Sequence, residues 1–161
     1  MKLLTLDLSL NHTGVAVFKD EKFLKSLVVE PNLKKKKDEL LTGEVRISFI
    51  LDVIKQVVKE YSGFDTRDIV VIEGPSFNSK GRSTIDIGEL HGVVKHYFYE
   101  NKVPVVIVPP KTLKKWVTDN GNSDKNQMLL QTYKRWKIEF SNDNECDAFC
   151  LGKYYLDVIK K

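Results

Sequence analysis

A chain of 161 residues that is 42% hydrophobic, 30% charged and 10% aromatic has the make-up of one globular domain with a single good core. No apolar run approaches the roughly 20 residues that span a bilayer, and the alternating N-terminus lacks a signal-peptide core, so a membrane protein is excluded. Two cysteines, Cys146 and Cys150, read as small core-facing side chains in a reducing compartment, which places the protein in the cytoplasm.

The first element is "KLLTLDLS". Leu4, Leu6, Leu8 and Leu10 alternate with Thr5, Asp7 and Ser9, a period of two that predicts a β-strand with one leucine face and one polar face. Asp7 stands in the middle of that polar face. In a covered strand an unpaired carboxylate costs several kcal/mol, so Asp7 needs a reason to be there. "NHTG" predicts a tight turn into the strand "VAVFKD", and "KFLKSLVVE" gives a third strand of an antiparallel meander. The lysine run at 34–37 reads as a solvated approach to a long amphipathic helix over 39–61, where apolar residues from Leu40 to Val58 recur at helical spacing.

"IVVIEG" at 69–74 is a continuous apolar run ending in Glu73, the mark of a strand buried on both faces. The breaker-rich loop "PSFNSKGRS" leads to a helix over 84–100, and "VPVVIV" at 103–108 is another buried strand that "PP" stops. A short helix over 111–117, the turn "TDNGNSD" with Ser123 or Asp124 as cap, a helix over 125–136 and a terminal helix from about 141 complete the chain. The order β-β-β-α-β-α-β-α-α-α over residues 1–161 predicts one domain. Its α/β fold is a five-stranded mixed sheet, three antiparallel strands plus two parallel, with helices on both faces and strand one in the centre.

In that arrangement Glu73 leaves its strand at the same edge as Asp7. Asp143 and Asp147 lie four residues apart on one face at the start of the last helix. Carboxylates converging from two strands and a helix suit Mg²⁺ or Mn²⁺, and two such ions can activate a water and stabilise the leaving oxygen in phosphodiester hydrolysis. Between residues 111 and 137 seven basic residues face two acids, with Trp116, Tyr133 and Trp136 interleaved, a composition suited to a phosphate-rich partner.

"LTLDLSLNHTGVAVF", "VVIEGPSFNSKGRS" followed by "IGELHGVV", "VPVVIVPPKTLKKWVTDNGNSDKNQM" and "ECDAFCLGKYY" together resemble RuvC-type Holliday junction resolvases of the RNase H-like superfamily, in order and over most of the chain. The resemblance implies a Mg²⁺-dependent endonuclease, with Mn²⁺ as substitute and two ions per site, that resolves branched DNA by paired symmetric nicks. It implies that Asp7, Glu73 and Asp147 are metal-binding catalytic acids. The family's fourth acid or histidine falls here on Asn144, and Asp143 or Glu145 is the replacement, Asp143 being favoured because it shares the Asp147 face. Lys114 and Lys125 match basic positions near the scissile phosphate, Lys125 with a catalytic role. Lys111, Lys115 and Arg135 read as charges that position the DNA backbone, with Lys80, Arg82 and the stacking candidate Phe77 in the loop after Glu73. The 84–100 helix resembles the family's dimer helix, implying a homodimer matched to a four-way junction. One alternative is of another class, a junction-binding protein without cleavage, raised by Asn144; within the nuclease reading, a looser debranching nuclease stays open.

Overall fold

The computed structural model describes residues 1–31, 43–75 and 82–161. The lysine run at 34–37, Phe77, Lys80 and the Arg82 side chain lie outside what it describes. Five strands, β1 (Lys2–Asp7), β2 (Thr13–Lys19), β3 (Lys22–Val29), β4 (Ile69–Glu73) and β5 (Val105–Val108), form one sheet in the order β3-β2-β1-β4-β5. β1 is central, antiparallel to β2 and parallel to β4, as the alternation and the crossover demanded. The helices are α1 (Gly43–Glu60), α2 (Arg82–Glu100), α3 (Pro110–Thr118), α4 (Lys125–Trp136) and α5 (Asp143–Tyr154).

The pleat of β1 sorts its side chains into two cores. Leu4, Leu6 and Leu8 pack with Val15, Val17, Val70 and Ile72 against the apolar stripes of α1 and α2, including Ile50, Ile54, Leu90 and Phe98. Leu3 on the opposite face joins Ala16, Phe18 and Val71 against α3, α4 and α5 through Leu113, Met128, Phe149 and Cys150. Asp7 belongs to this second face by parity. The polar face predicted for β1 is therefore not solvated: it is the face that α5 covers.

Thr5, fully buried, makes that coverage possible, because its hydroxyl donates 2.6 Å to the Ala148 carbonyl of α5. Cys146 and Cys150 are free and buried as expected, and both lie within hydrogen-bond distance of Thr132 Oγ1 on α4, at 3.3 and 3.1 Å. That small polar contact ties α4 to α5 inside an otherwise apolar layer.

Element boundaries differ from the sequence expectation at three informative places. α3 begins at Pro110 rather than Lys111, since proline at the first helical position lacks only an N–H that would be unpaired anyway. β5 starts two residues late, at Val105, because Val103 N turns back to Phe98 O and Pro104 has no N–H to give the ladder. The terminal helix is α-helical only to Tyr154 and continues as a π-helical turn over Tyr155–Ile159. Asp124, not Ser123, caps α4, in a reciprocal box with Gln127. No described helix is long and apolar enough to cross a membrane.

Candidate active site and nucleic-acid interface

Register brings the acids together. β1 and β4 are parallel with Leu6 opposite Ile72, so Asp7 and Glu73, the next residue on each strand, emerge side by side at the same sheet edge. α5 enters from Asn142, whose side chain caps the helix by accepting from Asn144 N. Its first two turns carry Asp143 and Asp147. A cleft of about 680 Å³ opens beside them, lined by Glu73, Asp147, Lys111, Lys114, Lys125 and Asn122 among others. Asp7 lies beneath it.

The electrostatics are those of acids crowded without enough cations. Burial, countered in part by a hydrogen bond from Glu73, pushes the Asp7 carboxyl up to about 6. Burial and the charges of Asp7 and Asp147 push Glu73 well above the usual carboxylate range. Burial and Asp7 raise Asp147 to about 7. Asp147 Oδ1 is buried without a hydrogen-bond partner among the described residues, an arrangement that costs free energy unless a ligand completes it. Lys125 forms an ion pair with Asp143, and its ammonium is held above the usual lysine range by Asp143 first and by Asp147 and Asp7 behind it.

A divalent cation fits this donor set by its chemistry: oxygen ligands only, a carboxylate oxygen without a partner among the described residues, and carboxyls raised by burial and by one another. Among the described residues, no group of three or more His, Cys, Asp or Glu is drawn close enough to hold an ion as it stands. The acids are gathered, not yet closed into a shell.

The two alternatives for the fourth acid are both committed elsewhere. Glu145 accepts a hydrogen bond from Ser26 on β3, and the Asn144 amide folds back onto Asn142 Oδ1 at 2.8 Å. Asp143 instead pairs with Lys125 of the cleft, and its charge raises the Asp7 and Asp147 carboxyls. Among the basic candidates, Lys111, Lys114 and Lys125 line the cleft, whereas Lys115 is exposed on α3 outside its lining. Arg135 departs furthest from expectation. Its guanidinium stacks on Trp116 and Trp136, 4.0 and 4.7 Å from the ring centres, at the far end of α4 from Lys125. The interleaved aromatics thus pack with one another and with Arg135, and only Tyr133 remains exposed. Thr5 and Gly14 went unread at the sequence level, although "NHTG" held the signal.

The chain matches the profile of the family described as crossover junction endodeoxyribonuclease RuvC over residues 3–151. It belongs to the RuvC family. The RuvC of Rickettsia conorii is 26% identical over 158 residues, covering 94% of each chain. That of Cytophaga hutchinsonii is 31% identical over 90 residues, 56% of this chain and 43% of that one. Among solved structures, Thermus thermophilus RuvC in complex with Holliday junction substrate superposes with a TM-score of 0.73 at 18% identity, over 97% of this chain and 93% of that one. The fold is therefore the RNase H-like fold of RuvC, and the acids described above sit in a RuvC domain.

Proposed function

We propose that this RuvC-family chain is a Mg²⁺-dependent endonuclease that resolves four-way DNA junctions by paired nicks, with Asp7, Glu73 and Asp147 as metal ligands and Asp143 as the fourth acid. The observation that carries this reading is the convergence of three desolvated carboxyls from β1, β4 and α5 beside a cleft lined by three lysines. When bound, Mg²⁺ or Mn²⁺ supplies Lewis acidity and lowers the pKa of a bound water.

The chain's own residues do the rest. The raised carboxyls of Asp7, Glu73 and Asp147 serve as ligands in their ionised form, so ion binding releases protons to the solvent. Asp147 Oδ1, with no partner among the described residues, is available to accept. Lys111 and Lys114 draw the DNA backbone to the cleft. Lys125, beside Asp143 and facing the acid pocket, is placed to stabilise negative charge developing on the attacked phosphate. α2 exposes Ile85, Val93 and Tyr99, an apolar surface suited to pairing two copies so that two sites address a two-fold substrate.

Purified protein with Mg²⁺ and a synthetic four-way junction should yield symmetric nicks in opposing strands, and Asp7→Asn should retain the junction in gels without cutting it. A wild-type protein that holds the junction but yields no product at any Mg²⁺ or Mn²⁺ concentration would leave only a binding role.

A further inference from the structure

Gly14 sits inside strand β2, paired with Asp7 across the sheet. A glycine inside a strand lacks a side chain to pack and weakens the element, so it marks a special need. That need is not a backbone angle, because Gly63 is the one glycine described with positive φ. It is proximity. A Cβ on Gly14 would lie 2.0 Å from the Asn144 carbonyl oxygen and 2.6 Å from its carbon. These are backbone atoms in the first turn of α5, which no rotamer change relieves. One turn further on, Thr5 Oγ1 on β1 holds the Ala148 carbonyl at 2.6 Å. The acids are interleaved with these contacts: Asp143 precedes Asn144, and Asp147 precedes Ala148.

We propose that Gly14 and Thr5 are positioning residues that set the height of α5 over β1 and β2 and so the spacing between Asp147 and the Asp7–Glu73 pair. This rests on the metal reading above. Any side chain at position 14 pushes the start of α5 away from β2, and the ligand set, which is gathered but not closed, then opens. A natural control lies on the same helix. Gly152 presses on the Phe18 ring, where a Cβ would stand 2.2 Å from Cε2, but it is on the turn after Ala148, beyond the acids. Gly14→Ala and Gly152→Ala therefore both disturb α5 packing, and only the former acts directly at the acid end.

The test compares wild type, Gly14→Ala, Gly152→Ala and Thr5→Val for Mn²⁺ affinity by calorimetry, thermal stability in EDTA, and junction retention in EDTA. We expect Gly14→Ala to lose roughly 10- to 100-fold in Mn²⁺ affinity, Thr5→Val to lose less in the same direction, and Gly152→Ala to lose stability while keeping its affinity within about twofold of wild type. Junction retention in EDTA should be unchanged in all four, since the cleft lysines are untouched. If Gly14→Ala binds Mn²⁺ as wild type does, or if Gly152→Ala weakens binding as much as Gly14→Ala, the inference falls. Should Gly14→Ala fail to fold, Thr5→Val with wild-type Mn²⁺ affinity overturns it just as well. A wild-type protein that binds no Mn²⁺ overturns the metal reading itself and this inference with it.

Discussion

At the entry of β1, Asp68 is only 3% exposed, yet its carboxylate is fully engaged. Lys2 N donates to it at 2.6 Å, Asp65 N at 3.1 Å, and the Lys2 ammonium stands 3.2 Å away while also bonding the Tyr61 and Gly63 carbonyls. Beside it, Arg67 holds the Asp65 carboxyl well below the usual range. At the exit of the same strand, five residues on, Asp7 meets Glu73 and Asp147 with its carboxyl pushed up, and one oxygen of Asp147 has no hydrogen-bond partner among the described residues. The first cluster is arranged so that the fold alone satisfies it. The second is arranged so that the fold alone does not, which is what a site kept for an external charge requires.

The contrast is broken most severely at the exit. Asp7→Asn should lower the cutting rate by on the order of 10²–10³-fold or more, read as nicked product per unit time, while thermal denaturation in EDTA shows the variant at least as stable as wild type because a repulsion has gone. A less stable Asp7→Asn would mean that the acid pocket is held together by Asp7. At the entry the signs reverse. Asp68→Ala should cost about 3 kcal/mol in urea unfolding, since it leaves Lys2 and two backbone N–H groups without their acceptor, with the folded fraction cutting normally.

The acid pocket and a buried histidine on α2 predict opposite responses to pH. With divalent ions chelated, Asp7 and Asp147 keep protons in the folded state that the unfolded chain releases above about pH 4. Their contribution is full below that pH and is lost as pH rises through about 6 to 7. His91, buried at 4% exposure on α2, runs the other way. Burial, reinforced by Lys95, depresses its imidazole to about 4, so stability is lost as pH falls from about 6.5 toward 4. His91→Leu should remove a decline on the order of 2 kcal/mol across that window. The same scan on Asp147→Asn should expose the histidine's descent more fully, because part of the opposing carboxyl gain is absent. The smallest effect belongs to Arg135→Ala, which should cost about 1 kcal/mol of stability through the lost stacking on Trp116 and Trp136 and leave junction affinity nearly unchanged, whereas Lys114→Ala should weaken junction binding and flatten its salt dependence.

Much of this architecture could be read from the chain itself because local rules governed it. The leucine alternation of β1, the double-sided apolar run of β4 and the Asp124–Gln127 box of α4 are short-range patterns, and from them the central position of β1 and the meeting of Asp7 with Glu73 follow. What escaped was long-range. Nothing in "ECDA" shows that Glu145 will find Ser26, 119 positions away, and nothing in "KRWK" distinguishes an arginine facing phosphate from one stacked on tryptophans. Gly14 was visible as part of a turn signal, but its purpose lies in a helix 130 residues later in the sequence (144 less 14).

The rims of the sheet carry a last consequence. β5 spans four residues between Pro104 and the Pro109–Pro110 pair, and β3 on the other side carries Lys22 and Lys25, with an irregular register where β2 pairs to it. Neither border offers a long, flat row of free amides, so stacking of molecules into a continuous ribbon is discouraged on both flanks. The acids Asp7 and Glu73 stand on inner strands, β1 and β4, away from both borders.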